Sequence, residues 1–524
     1  MSIDLRQFGA TLLMTVAALS VTAPKAMADE PLSAIDWLSQ SLVTPVVQST
    51  PVTNPDEPPV AANGGALPEG VAVSTLDQAT PDAVGILPPR VTGLPENLWG
   101  LGNSADIAGL ISAQNLTDFP ALQSLFITLL LAEADAPAAS STGTDPSLLL
   151  TRIDKLLAMG ALDQARALID AAGPVGSADL FRRSFDVALL IGDENTACQT
   201  LTAAPDLSPA LPTRIFCLAR TGDWDTASLT LDAAATLGTV APDEATLLAR
   251  FLDPALDEGA ALPAPATVTP LTLRIYEAVG EPLPTAALPI AFSYADLSDN
   301  TGWKAKIEAA ERLARVGAIA PNVLLGLYTQ QKPAASGSVW DRAAAFQKLD
   351  DAMTAQDATA VAQALPGAWA AMQSVELEVP FATLFAAGLA KLPLTGEAQR
   401  IAMSLALLSP DYESLTAAAL PGASDGFVLG LARGDLTGAS AADAMGRAIA
   451  PAFAATTTLP DDIKPLLDQH RTGEVILMAM ARISSGAQGD LRGVTEGLTI
   501  LRHIGLEDVA RRTALELMLL ERRG

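Results

Sequence analysis

From Leu98 to the C-terminus, apolar residues recur every three or four positions in segments of about 10 to 18 residues. Gly, Pro and Asp interrupt them. This spacing lays one apolar stripe along a helix, so each segment predicts an amphipathic helix. Strand signals are poor. Alternation at period two is not sustained, and aromatic residues make up only 4% of the chain. The expected class is all-α.

Before Leu98 the pattern changes twice. Residues 1–28 read as a secretory signal: Arg6 gives a basic start and Phe8 to Val21 is mostly apolar. Ala26-Met27-Ala28 then forms a small-x-small cleavage site. A retained N-terminal anchor is the alternative. Residues 29–42 predict a short amphipathic helix, with Ile35, Leu38 and Leu42 on one face and Trp37 beside them. Residues 43–97 contain ten prolines between Pro45 and Pro95, and predict an unstructured Pro-rich linker. From Asp29 to Leu150 the only basic residue is Arg90, against 14 acidic ones, so this arm is acidic. The body divides into helical repeats at 98–262, a second Pro-rich break at 263–289, and a second helical-repeat half at 290–524.

Four glycines stand in one frame: Gly160, Gly192, Gly222 and Gly505. Apolar residues lie 11, 7 and 4 positions before each and 5, 9 and 12 after. Around Gly160 these are Leu149, Ile153, Leu156, Ala165, Ile169 and Ala172. Around Gly222 they are Leu211, Ile215, Leu218, Ala227, Leu231 and Ala234. With half of all residues apolar, chance gives about half a match over the 38 glycines. The frame predicts a helical hairpin with the glycine as a left-handed cap. Asp193 and Asp223 would cap the second helix. Each hairpin leaves an apolar face that only a neighbour covers, so the hairpins stack.

At these residues the chain resembles the tetratricopeptide repeat. Gly222-Asp223-Trp224-Asp225-Thr226-Ala227, with Leu231 and Ala234, looks like the family's second-helix signature, and Gly160 to Ala165 matches more loosely. The resemblance covers about 145–238, is weaker at 494–520, and is absent as a motif between. Ile153, Phe185 and Ile215 stand where the family usually has a small residue. The fold it implies is a divergent, tetratricopeptide-like α-solenoid that presents a surface to partner proteins.

Candidate chemistry is sparse. His470 and His503 are the only histidines, and no carboxylate or thiol pattern joins them. Gly422-Ala423-Ser424-Asp425-Gly426 has nucleophile-elbow spacing but lies between predicted helices, where that motif carries no chemistry. Glu413-Ser414 resembles part of the catalytic motif of lytic transglycosylases, some of which carry an Ala-rich superhelix. The downstream Gly-Leu-Met-Gln of that family is not in the chain. No catalytic, cofactor-binding or metal residues are assigned, and the chain is expected not to be an enzyme.

Charge narrows the partners. The net charge is −27, which disfavours nucleic acid and anionic lipid. No segment after the signal is long and apolar enough to span a membrane. Arg511, Arg512, Arg522 and Arg523 form a basic cluster, so Arg511 and Arg512 join Trp37 and Leu38 as possible partner contacts. Trp224 fits a core position better than a contact. Cys198 and Cys217 are either a bridge, which an oxidising compartment permits, or two small buried apolar residues. The expectation is a periplasmic scaffold or adaptor for envelope proteins, with full secretion as the second address. The alternative is a cell-wall-active protein related to the transglycosylase superhelix.

Overall fold

The structure, a computed structural model, describes residues 80–138, 147–207, 210–253, 255, 261–417 and 425–520. Contacts divide the chain after Ala62, and the unit from Asn63 to Gly524 holds every described residue. This unit is an all-α helical solenoid with no strands among the described residues. The signal, the 29–42 helix, Trp37, Leu38 and the linker up to residue 79 lie outside the described residues.

The four frame glycines each join two helices. Ser147–Ala158 and Leu162–Ala171 flank Gly160, and Ala178–Ile191 and Glu194–Ala203 flank Gly192. Leu211–Arg220 and Trp224–Leu237 flank Gly222, and Leu491–His503 and Glu507–Leu519 flank Gly505. All four glycines have φ between +73° and +91°. One bond recurs in every hairpin. The amide after the glycine donates to a carbonyl of the preceding helix's last turn: Ala161 to Leu156, Asp193 to Ala188, Asp223 to Leu218 and Leu506 to Leu501, at 2.8–2.9 Å. This closing bond gives a carbonyl of the helix's last turn an acceptor role that the helix itself leaves unfilled or only partly filled. Every residue of the frame is buried or half-buried.

Three further hairpins use the same turn without glycine. Gln356, Glu376 and His470 take φ of +53°, +58° and +57°. Asp357 then donates to Ala352, Leu377 to Met372 and Arg471 to Leu466, at 2.9–3.2 Å. Gln356 joins Val339–Thr354 to Ala358–Gln373. It carries the full apolar frame in Ala345, Leu349, Ala352, Val361, Leu365 and Ala368. The repeat therefore continues through the stretch where the sequence motif is absent.

Of the two expected aspartate caps, one forms. Asp223 accepts from the Thr226 amide at 3.3 Å. Asp193 does not cap, because its carboxylate is taken by the Thr196 hydroxyl at 2.7 Å and Arg166 Nη1 at 2.9 Å. Those partners, the Thr196 hydroxyl foremost, hold its carboxyl below the usual range.

Residues 80–97, read from the sequence as the end of the linker, pack into the body. Asp82 is buried and accepts from Ser104 Oγ at 2.9 Å and the Leu149 amide at 3.0 Å. Fully buried Arg152 donates to the carbonyls of Val84 at 2.6 Å, Leu130 at 2.7 Å and Ala132 at 3.0 Å. Burial pushes its pKa down to about 10, against the opposing charge of Asp82. Pro81, Pro88 and Pro89, which suggested a linker, start short helical turns, where a missing N–H costs nothing.

The break at 263–289 is also packed. Pro270–Ala278 is a helix, started by Pro270 and capped by Thr269 on the Thr272 amide at 3.1 Å. Its Arg274 donates to the carbonyls of Leu189 at 2.6 Å and Leu190 at 3.2 Å. Leu273 sits in one core with Leu162, Leu190 and residues from 291 to 408. The two expected halves therefore share a core across the break.

The far ends of the described helical array cover one another. The Gly473 amide donates to Leu98 O at 2.8 Å, and the Leu101 amide to Gln469 O at 3.1 Å. Gln114 Nε2 reaches Leu477 O at 3.0 Å, and Ser484 Oγ reaches Asn115 O at 2.9 Å. A Cβ on Gly473 would come within 2.4 Å of the Trp99 ring, so the glycine is what lets that ring lie against the helix.

Candidate functional site

The sequence-derived residues do not converge on one site. Cys198 and Cys217 are joined as a disulfide with Cα atoms 5.0 Å apart, linking Glu194–Ala203 to Leu211–Arg220. Both sulfurs lie inside a core formed with Phe185, Ile215 and Phe216. The bridge pins neighbouring hairpins together and presents nothing to solvent.

Arg511 and Arg512, read as partner contacts, are held by their own chain. Arg511 Nε lies 2.8 Å from Glu507 and its Nη1 3.6 Å from Glu413, and Arg512 lies 4.0 Å from Asp508. Arg511 also covers Gly434, the left-handed cap of Gly426–Arg433, where an added Cβ would meet its guanidinium. The charge pattern shows a basic cluster, but Glu507 and Asp508, one turn earlier on the same helix, and Glu413 from another helix occupy it. Glu413 is 69% exposed. His470 and His503 are exposed, and His470 serves as a turn residue. Residues 418–424 lie outside the described residues. Asp425 caps the next helix on the Phe427 amide at 2.7 Å.

A cleft of about 690 Å³ opens between residues 83–90 and 133–135, with Glu96, Glu133 and Asp135 beside Arg90. It is walled by the extended segment that Arg152 fixes. No three His, Cys, Asp or Glu side chains form a metal-binding group among the described residues. Among them, too, no helix is long and apolar enough to cross a membrane.

The surface that departs most from an ordinary solvated face is on Trp224–Leu237. Its inner side is set by the frame: Ala227, Leu231 and Ala234 are buried. Trp224 borders that side with its ring 6.1 Å from Phe251, yet is 47% exposed, so it is both packing residue and surface. On the outer side Leu229 is 70% and Leu237 75% exposed, with Ala233 exposed between them. Sequence reasoning missed these two leucines, because an apolar residue in a helical period reads as core. The available signal was that 229, 233 and 237 fall outside the frame set by Gly222.

Helical spacing places Asp225 and Asp232 along one edge of this outer face. Between Arg220 and Arg250 stand Asp223, Asp225, Asp232, Asp243 and Glu244, with no basic residue. The two bounding arginines are engaged, Arg220 with Asn195 at 2.8 Å and Arg250 with Glu281 at 3.3 Å. Glu244 is raised above the usual carboxylate range by burial and then by the neighbouring charge of Asp243.

The chain matches no known family model, no curated protein and no solved structure.

Proposed function

We propose that this chain is a non-catalytic, periplasmic scaffold that binds other cell-envelope proteins through its helical-repeat surface. The observation that supports this best is the recurrence of one hairpin turn, at Gly160, Gly192, Gly222, Gln356, Glu376, His470 and Gly505. A stack built from one hairpin presents successive helix faces in register, a form suited to recognising an extended or helical partner. The resemblance to tetratricopeptide repeats points the same way. So does an exposed apolar helix face in an acidic surround. The export signal read in residues 1–28 supports the envelope address.

The test is in vivo crosslinking and capture from the native envelope, comparing the full mature chain with a version starting at Thr80. Starting there keeps the residues that Arg152 fixes. A small reproducible partner set is the expected result, and retention in the shorter form assigns recognition to the solenoid. No partner with either form would overturn the scaffold reading. Muropeptide release that Glu413→Gln abolishes would favour the cell-wall-active alternative instead.

A further inference from the structure

The geometry points to the outer face of Trp224–Leu237 as a docking site for a basic amphipathic helix of another protein. This inference rests on the scaffold reading and names the chemistry of one partner.

Leu229, Ala233 and Leu237 are four residues apart, so they form one slanting apolar ridge over two turns. Both leucines expose most of their surface. The residues around them are small or short: Thr226, Ala233 and Thr236 are all exposed. Such a surface admits close approach of another helix, whose apolar ridge fills the grooves beside the leucines.

Charge selects the occupant. Asp225 and Asp232 are seven residues apart, which places them on the same side of the helix, along one edge of the leucine ridge. Both are exposed. No cation of the local chain offsets them, since none lies between Arg220 and Arg250. A partner helix therefore needs an apolar stripe at three- and four-residue spacing, with Lys or Arg seven residues apart along one margin. The same charge disfavours a second copy of this chain, because pairing this face with itself sets carboxylate against carboxylate.

The probe is a fluorescein-labelled 14-residue helical peptide of Leu and Lys, titrated with the full mature chain and followed by anisotropy. A Leu and Glu peptide of the same length is the control. The Lys peptide is expected to bind and the Glu peptide not to. Leu229→Gln/Leu237→Gln should weaken binding at least ten-fold. Asp225→Asn/Asp232→Asn should weaken it several-fold and flatten its salt dependence. All four positions are exposed, and circular dichroism melts of the variants should overlay the parent. Equal binding by both double variants would overturn the proposal. So would a dimer of the parent chain that Leu229→Gln/Leu237→Gln dissociates, which would assign the face to a second copy. Native crosslinking separates the two layers. Partners captured equally by the parent and the leucine variant refute the docking face and leave the scaffold standing, whereas no partner for the parent refutes both.

Discussion

Glu516 holds both carboxylate oxygens 3.0 Å from the amide nitrogen of Ala121, 395 residues earlier in the chain. The helix Pro120–Leu131 begins with Phe119 at its cap and Pro120 in its first turn, so it has no polar cap of its own. The Ala121 amide would be an orphan donor. A buried carboxylate from the last helix supplies the acceptor, and its negative charge suits the helix N-terminus.

Glu516→Ala is therefore expected to cost about 2–3 kcal/mol, more than an ordinary exposed cap, because a buried donor loses its partner. Glu516→Gln keeps an acceptor and should cost about half as much. Urea unfolding of the two variants checks this, and equal stabilities would rule out the capping role.

The left-handed turns give a paired prediction of opposite sign. Gly222 has φ +91° and nothing within 4 Å of an added Cβ, so Gly222→Ala isolates the backbone term and should destabilise by about 1 kcal/mol. Gln356 holds the equivalent position at φ +53°, where Gln356→Gly should stabilise by about 0.5–1 kcal/mol. Thermal melts of both variants test whether the two turns are equivalent.

The disulfide closes a loop with a sequence separation of 19. On the chain-entropy model, removing it with Cys198→Ser/Cys217→Ser should cost about 3 kcal/mol. Thiol titration of the denatured protein purified from its native compartment should find no free thiol.

Burial pushes the Asp186 carboxyl up to about 6, with Arg182 at 4.0 Å and Arg183 only partly opposing it. Its folded pKa then lies above its unfolded value, so the native state binds the extra proton between about pH 4 and 6. Stability from this group is present below pH 4 and is lost as pH rises through 6. Asp186→Asn should raise stability at pH 8 by about 2 kcal/mol and leave it nearly unchanged at pH 4. Denaturant midpoints at the two pH values decide it.

The sequence made the hairpins legible at Gly160, Gly192, Gly222 and Gly505, where a glycine marks the left-handed turn inside a full apolar frame. Gly238 and Gly317 make the same turn, but Asp243 and Lys306 break the frame. It hid the hairpins at Gln356, Glu376 and His470, where a costlier residue fills the same turn. Proline misled in two places. Runs at 81–95 and 263–289 read as linkers, yet Pro81, Pro89 and Pro270 begin helical turns that bury Asp82, Leu273 and Tyr276. The candidate face was hidden for the converse reason. Leu229 and Leu237 satisfy a helical period without being buried, and only the neighbouring helices decide which side of Trp224–Leu237 is covered. Arg511 looked free although Glu507, four residues earlier, was a visible helical pair; only the approach of Glu413 from another helix is hidden in the sequence.

The mutual covering of residues 98–121 by 469–516 sets the order of folding. In an open repeat array each unit needs only its neighbours, and the chain can order itself progressively from its first repeat. Here the face of Gly473 against the Trp99 ring, the Leu477 carbonyl that Gln114 reaches and the Glu516 carboxylate at the Ala121 helix start are all supplied by residues 469–516. Contacts of such separation carry a large loop-closure cost and slow the last step. The helices between residues 98 and 131 therefore remain incompletely satisfied until residues 469–516 have formed theirs, so the two ends of the described array are completed together.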